Sequence, residues 1–398
     1  MQAIDASVSD PRGSGGVLTL ALTFFAAGCV LVLATGASLA ALHAFAAFIV
    51  LAFVAASNQL IPVLTGAPVS APRSVLLAAA PLAAGFALLV ASFLGAPLFG
   101  AAGALLLLGA VGWSGWTISR LLGAPLERSI AGMIGFAAAA LVAAAAIGAA
   151  MACALAGRIG LRVLTLAPLH ALLALAAFAS TAILAISVRF VPMFALAHLV
   201  GDRRQAIARW TFVGAAAFAA ACFDHPNALR AALVAMLGAL AIAGSGHLHE
   251  LRVRLRKHLD ISLRYAGVAW ICAILAVAAA LGATWWPPAA YAAVTLAVLG
   301  WANITIVGYG YKIAGFLAWQ FARERRPGVV LPTLSAAVPE RCAVAGLLLL
   351  TTGTLATASA LAVAPAYVRW AFVPYAGGAI AVFVSYARLA QPYVGGTR

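Results

Sequence analysis

The sequence predicts an all-α membrane protein, a polytopic bundle of about twelve transmembrane helices. Three observations predict it. Of 398 residues, 65% are hydrophobic and only 8% are charged, whereas a soluble domain carries about 25% charged residues. Apolar runs of about 20 residues or more, the length that crosses a ~30 Å hydrocarbon core, recur along the whole chain. The basic residues fall in short connections between those runs, where lipid headgroups are the natural partner. The net charge of +15 therefore reads as membrane-surface charge and not as a nucleic-acid footprint. Alanine dominates the runs, and 37 glycines allow helices to pack closely in lipid.

The elements follow in order. The chain is polar through Gly16, with Asp5, Asp10 and Arg12. The apolar run 17–36 outlasts a signal peptide and shows no cleavage site, so it reads as a first span. Further spans are expected at 40–64, 74–94, 97–121, 130–156, 164–192, 207–222, 230–251, 262–283, 290–321, 342–363 and 367–388. The longest connection, 322–341, carries Arg323, Arg325 and Arg326, and no linker divides the chain, which reads as one integral membrane domain over 1–398. With the N-terminus inside, inner segments hold 18 Lys/Arg and outer loops 4 (Arg158, Arg162, Arg230 and Arg369). That bias places both termini in the cytoplasm, and the membrane reads as a bacterial inner membrane. Cys29, Cys153, Cys222, Cys272 and Cys342 fall in or beside apolar spans without a Cys-x-x-Cys pair; they read as small buried hydrophobes, with no disulfide expected.

Three long spans end alike. The second ends Gln59-Leu-Ile-Pro62-Val-Leu, the sixth Arg189-Phe-Val-Pro192-Met-Phe and the tenth Lys312-Ile-Ala-Gly315-Phe-Leu, at offsets of 130 and 123 residues. The second and sixth also open alike, on Leu42-His43-Ala44 and Leu169-His170-Ala171. Motif, span index and depth agree, which predicts three four-helix modules (about 17–121, 130–251 and 262–388) related by a pseudo-threefold axis.

Ionisable groups inside a membrane are functional hypotheses by default. His43 and His170, near the outer ends of equivalent spans, could hold a metal or cofactor between helices, since neutral imidazole ligates haem iron and copper; a ring bonded to a backbone carbonyl is the alternative. Arg189 and Lys312 could meet propionates, an anionic substrate or a carboxylate, or extend to the inner surface. Asn303, Thr305, Tyr309 and Tyr311 would be costly facing lipid and are expected to face the bundle. Met193 and His198 could form a soft copper site, although a five-residue spacing suits one helical face poorly. His247 and His249, beside Arg252, Arg254, Arg256, Lys257 and His258, read as a solvated basic collar. Asp224-His225-Pro-Asn reads as turn chemistry. The chain has no Gly-rich phosphate loop, no Cys/His zinc cluster and no carboxylate at mid-membrane.

Twelve spans in three arcs, with a His near the outer end of span two, resemble subunit I of the haem-copper oxidases. Closer still, the chain is similar to the NnrS family and to short oxidase-like bacterial membrane proteins. The likeness rests on His43 through Leu60-Ile-Pro62-Val-Leu-Thr-Gly66, His170-Ala-Leu through Leu184-Ala-Ile-Ser-Val-Arg189, Val191-Pro192-Met193-Phe194-Ala-Leu-Ala-His198, and Gly310-Tyr311-Lys312-Ile313 with Phe316-Leu-Ala-Trp319. The resemblance implies haem b and/or copper as cofactors, with His43 at the position of a low-spin haem ligand and His170 and His198 near that of a copper ligand. It also implies a role in nitric-oxide or metal/redox stress. The chain departs from the oxidases where oxygen chemistry needs ligands. Span seven lacks a His-His pair and span ten has no His, so no oxygen reduction is expected. Two other readings stay open: a permease in which Arg189 and Lys312 meet an anion, and a cofactor-free assembly subunit. A homo-oligomer or another membrane subunit remains open as a partner.

Overall fold

The computed structural model describes residues 11–65, 71–122, 127–197, 203–255, 258–333 and 336–394. Among these, twelve long helices and no strand are present, one helix for each expected span. They are α1 (Pro11–Thr35), α2 (Leu39–Thr65), α3 (Pro72–Phe93), α4 (Phe99–Leu121), α5 (Arg128–Leu155), α6 (Val163–Ala195), α7 (Arg203–Ala221), α8 (Pro226–Arg252), α9 (Ile261–Gly282), α10 (Ala289–Arg325), α11 (Glu340–Val363) and α12 (Val368–Val394). Eleven are long and apolar enough to cross a membrane, so the chain is a multi-pass helical bundle. The exception is α7, whose first two turns hold Arg203, Arg204, Gln205 and Arg209 and shorten its apolar stretch.

Local chemistry sets several boundaries. Pro72 and Pro226 open α3 and α8, where a missing N–H costs nothing. Asp260 caps α9 by accepting the Ser262 N–H at 3.1 Å. Gly36, with φ of 81°, ends α1 in the left-handed conformation that glycine adopts without penalty. All five cysteines are free thiols.

Burial separates the helices into two classes. In the apolar window of α2, 72% of residues are buried, with 56% for α6 and 61% for α10; the other eight qualifying spans reach only 33–39%. The three long helices therefore form the centre and the rest surround them. α2 meets α6 through Phe53 and Phe178, whose ring centroids lie 5.4 Å apart. α6 meets α10 through Trp301 Nε1, which donates to Ser180 Oγ at 3.0 Å, and through the Ser187–Tyr309 hydroxyl pair at 2.8 Å. α2 also packs against α10, and α12 packs against α1 to close the outer ring. As the sequence leads one to expect, Asn303, Thr305, Tyr309 and Tyr311 are all buried.

Both α6 and α10 contain a π-helical stretch, Leu172–Ser180 and Leu296–Asn303. Such stretches are rare and cluster at functional positions. Each lies at the depth where its helix presents Ser180 or Trp301 to the other.

The Ser187–Tyr309 bond is a suitable probe of this centre. Tyr309→Phe removes one net hydrogen bond at a buried site, and a loss of about 1 kcal/mol in unfolding free energy in detergent is expected. Ser187→Ala should cost about the same, and the double variant should cost less than the sum of the two.

Candidate functional site

Two ends of the bundle carry polar chemistry. The end where α1, α3, α5, α7, α9 and α11 begin holds most of the arginines and is called the basic end below. His43 and His170 lie at the opposite end.

His43 sits in the first turns of α2, and its Nδ1 lies 2.7 Å from the Leu39 carbonyl. Its ring stacks on Phe93, the last residue of α3, at 5.0 Å between centroids. His170 lies just before the π-helical stretch of α6, with Nδ1 at 3.0 Å from the Ala144 carbonyl of α5. It is seated over Gly148, where a Cβ would come within 3.1 Å of the ring. A carbonyl only accepts, so each Nδ1 must carry the hydrogen. In the neutral ring the lone pair is then on Nε2, the tautomer of a metal-ligating histidine whose other nitrogen donates to a carbonyl. The donor set fits a metal-containing group bound by imidazole. Among the described residues no cluster of three or more His, Cys, Asp or Glu adds further ligands.

The other expected site residues lie elsewhere. Arg189 is 19 residues beyond His170, and Gln59, which marks the same depth on α2, is 16 beyond His43. At 1.5 Å per residue these are about 28 and 24 Å along the helices. Arg189 and Lys312 are paired at the basic end. Arg189 Nη2 is 3.6 Å from Glu127 Oε2, and Lys312 Nζ is 2.5 Å from Asp260 Oδ2. Lys312 also stands over the Phe194 ring, 5.7 Å from its centroid. Met193 is exposed on α6, and His198 lies outside the described residues. The structure thus places His43 and His170 at one end of the bundle, and Arg189, Lys312 and Met193 at the other.

Sequence reasoning missed the partners of the basic residues. Glu127 and Asp260 immediately precede α5 and α9, and Ser14 in the first turn of α1 receives a hydrogen bond of 3.0 Å from Gln59 Nε2. The polar residue at the basic end of each central helix therefore meets the beginning of the helix that precedes it. The signal was present: Glu127 and Asp260 are 133 residues apart, close to the spacing of Arg189 and Lys312. The collar reading also needs correction. His247 is not solvated. Its Nδ1 is 2.8 Å from Glu250 Oε2, and the ring packs edge-on to Trp270 at 5.0 Å. Glu250 is only 8% exposed. His249, on the other face of α8, is exposed as expected. His225 and Asp224 form a loose pair of 3.7 Å on the surface, in keeping with a turn.

Two cavities stand out. An apolar one of about 50 Å³ lies between α2, α6 and α10, lined by Phe53, Ile183, Ile186, Thr305 and Tyr309 among others. A larger cleft of about 690 Å³ runs between α7 and α8 at the basic end. Neither is lined by His43 or His170.

No protein-family profile matches the chain, and no curated protein matches it.

Proposed function

We propose that this chain is a haem- or copper-binding membrane protein with the three-module arrangement of the haem-copper oxidases, and that it does not reduce oxygen. It resides in a bacterial inner membrane with both termini cytoplasmic, the orientation that puts the basic end inside.

The neighbour pattern supports three modules. Within the first four helices, α1 touches α2 and α3, α2 touches α3 and α4, and α3 touches α4; the same five contacts recur for α5–α8 and for α9–α12. The Gln59–Ser14, Arg189–Glu127 and Lys312–Asp260 pairs stand at equivalent places in this pattern. The observation that carries the functional reading is the placement of His43 and His170 at the same end of the bundle, each with Nδ1 on a backbone carbonyl and Nε2 left with its lone pair. Two imidazoles without thiolate or carboxylate suit copper or haem iron better than a closed zinc site, which takes four ligands. Arg189 and Lys312, on which a permease reading relies, are each committed to a carboxylate.

The test is the absorption spectrum and metal content of the detergent-purified protein, expressed with haem and copper supplied. A Soret band, or about one copper per chain, is expected in the wild type. Its loss by tenfold or more is expected in both His43→Ala and His170→Ala, with Met193→Leu unchanged. A colourless, copper-free wild type would remove the proposal. A spectrum with a Soret band makes nitric oxide the first ligand to add.

A further inference from the structure

We infer that the cleft between α7 and α8 is a binding site for an anionic phospholipid, independent of any cofactor. The cleft opens on the outer wall of the bundle and has a polar end and an apolar end. Arg204, Gln205, His249 and Glu250 line it at the basic end, and Ala235 and Gly238 line it deeper. From Glu250 to Ala235 is 15 residues of helix, about 22 Å. A lipid acyl chain in one leaflet spans about 15 Å, half of the hydrocarbon core, so the cleft is long enough to seat one beside its headgroup. Small residues create the space, and exposed Ile207 and Ile242, 57% and 48% accessible, give it apolar walls.

The charge at the mouth selects the headgroup. Arg203 adjoins Arg204, and Arg252 lies one turn beyond His249; all four are exposed. Among the described residues Glu250 is the one carboxylate in the lining, and it is already bonded to His247 Nδ1 at 2.8 Å. A phosphate at the mouth therefore meets a net positive field, whereas a zwitterionic headgroup brings a cation into it. Gln205 forms part of the floor. Its Nε2 donates to the Ile242 carbonyl at 3.0 Å, over Gly246, where any Cβ would overlap the amide.

The experiment is native mass spectrometry of the delipidated full-length protein in detergent, titrated with dioleoyl phosphatidylglycerol or dioleoyl phosphatidylcholine. Wild type should retain the first at about tenfold lower concentration than the second. Arg204→Gln should erase that preference by weakening phosphatidylglycerol. Gly238→Leu should weaken both lipids, because a Cβ at Gly238 meets nothing within 4 Å and the larger side chain fills the cleft without disturbing the helices. Gly214→Leu, at an equally open position on α7 outside the cleft, should bind like wild type. Equal retention of the two lipids by wild type, or undiminished retention by Gly238→Leu, would overturn the inference and leave only non-specific annular lipid.

Discussion

Replacing Lys312 with methionine is expected to lower the unfolding free energy in detergent by about 3 kcal/mol. The lysine lies against a carboxylate whose side chain is 7% exposed, and its own side chain is 17% exposed. Removing the lysine takes away the cation that lies 2.5 Å from the buried Asp260 carboxylate and offsets part of its desolvation. The same carboxylate caps α9, so its protonation or withdrawal would also loosen the first turn of that helix. Adding Asp260→Asn should recover part of the loss, since an amide needs no counter-charge and its oxygen can still accept the Ser262 N–H. The equivalent change in the second module is the control. Arg189 and Glu127 are 35% and 49% exposed at 3.6 Å, and Arg189→Met should cost less than about 1 kcal/mol. Equal losses at the two sites, read from unfolding in mixed micelles, would mean that burial does not set the strength of these pairs.

Gly353→Ala is expected to cost about 3 kcal/mol, at the upper end of overpacking penalties. Gly353 faces the backbone of α12, and a Cβ there would run into the Tyr375 amide nitrogen and Cα. A flexible side chain could swing away, but a helical backbone cannot, so α11 and α12 would have to separate. Helices in lipid associate by such close packing and gain little from apolar burial, so the separation is not offset elsewhere. Gly214→Ala provides the contrast. Its Cβ meets nothing, and alanine should stabilise α7 by about 0.5 kcal/mol through helix propensity alone. Thermal inactivation followed by size-exclusion chromatography would rank the two variants. Comparable melting temperatures would refute the backbone-to-backbone contact.

Much of the fold was legible because the bilayer imposes length and polarity on each element. Every apolar run became one helix, and the three runs whose ends repeat became the three most buried helices. The depth of His43 and His170 could be read from their shared Leu-His-Ala opening, but not the carbonyls of Leu39 and Ala144 that fix their tautomers. Those depend on a helix start and on a neighbouring helix. The partners of Arg189 and Lys312 lie 62 and 52 residues upstream, in connections whose polarity alone looks like ordinary loop chemistry. His247 and Glu250 carried the i, i+3 spacing of a helical pair. They read as solvated because hydropathy is blind to Trp270, which covers the ring from α9. The π-helical stretch of α6 left no mark. Leu172–Ser180 contains neither Gly nor Pro, and the widening follows from packing and not from propensity.

The two π-helical stretches act as phase shifters. Each residue of an α-helix advances the side-chain direction by about 100°, so an extra residue taken up in a π turn rotates everything beyond it relative to a regular helix. In α6 the offset lies between His170, aimed at α5, and Ser187, aimed at α10. A helix of unbroken period could not satisfy both bearings with this spacing. Deleting one residue within Leu172–Ser180 would remove the π turn with both bearings kept, whereas inserting one regular residue beyond it would turn one half of α6 about 100° out of alignment with the other. The helix would keep its length to within one residue and its apolarity, and would lose the ability to address two neighbours at once.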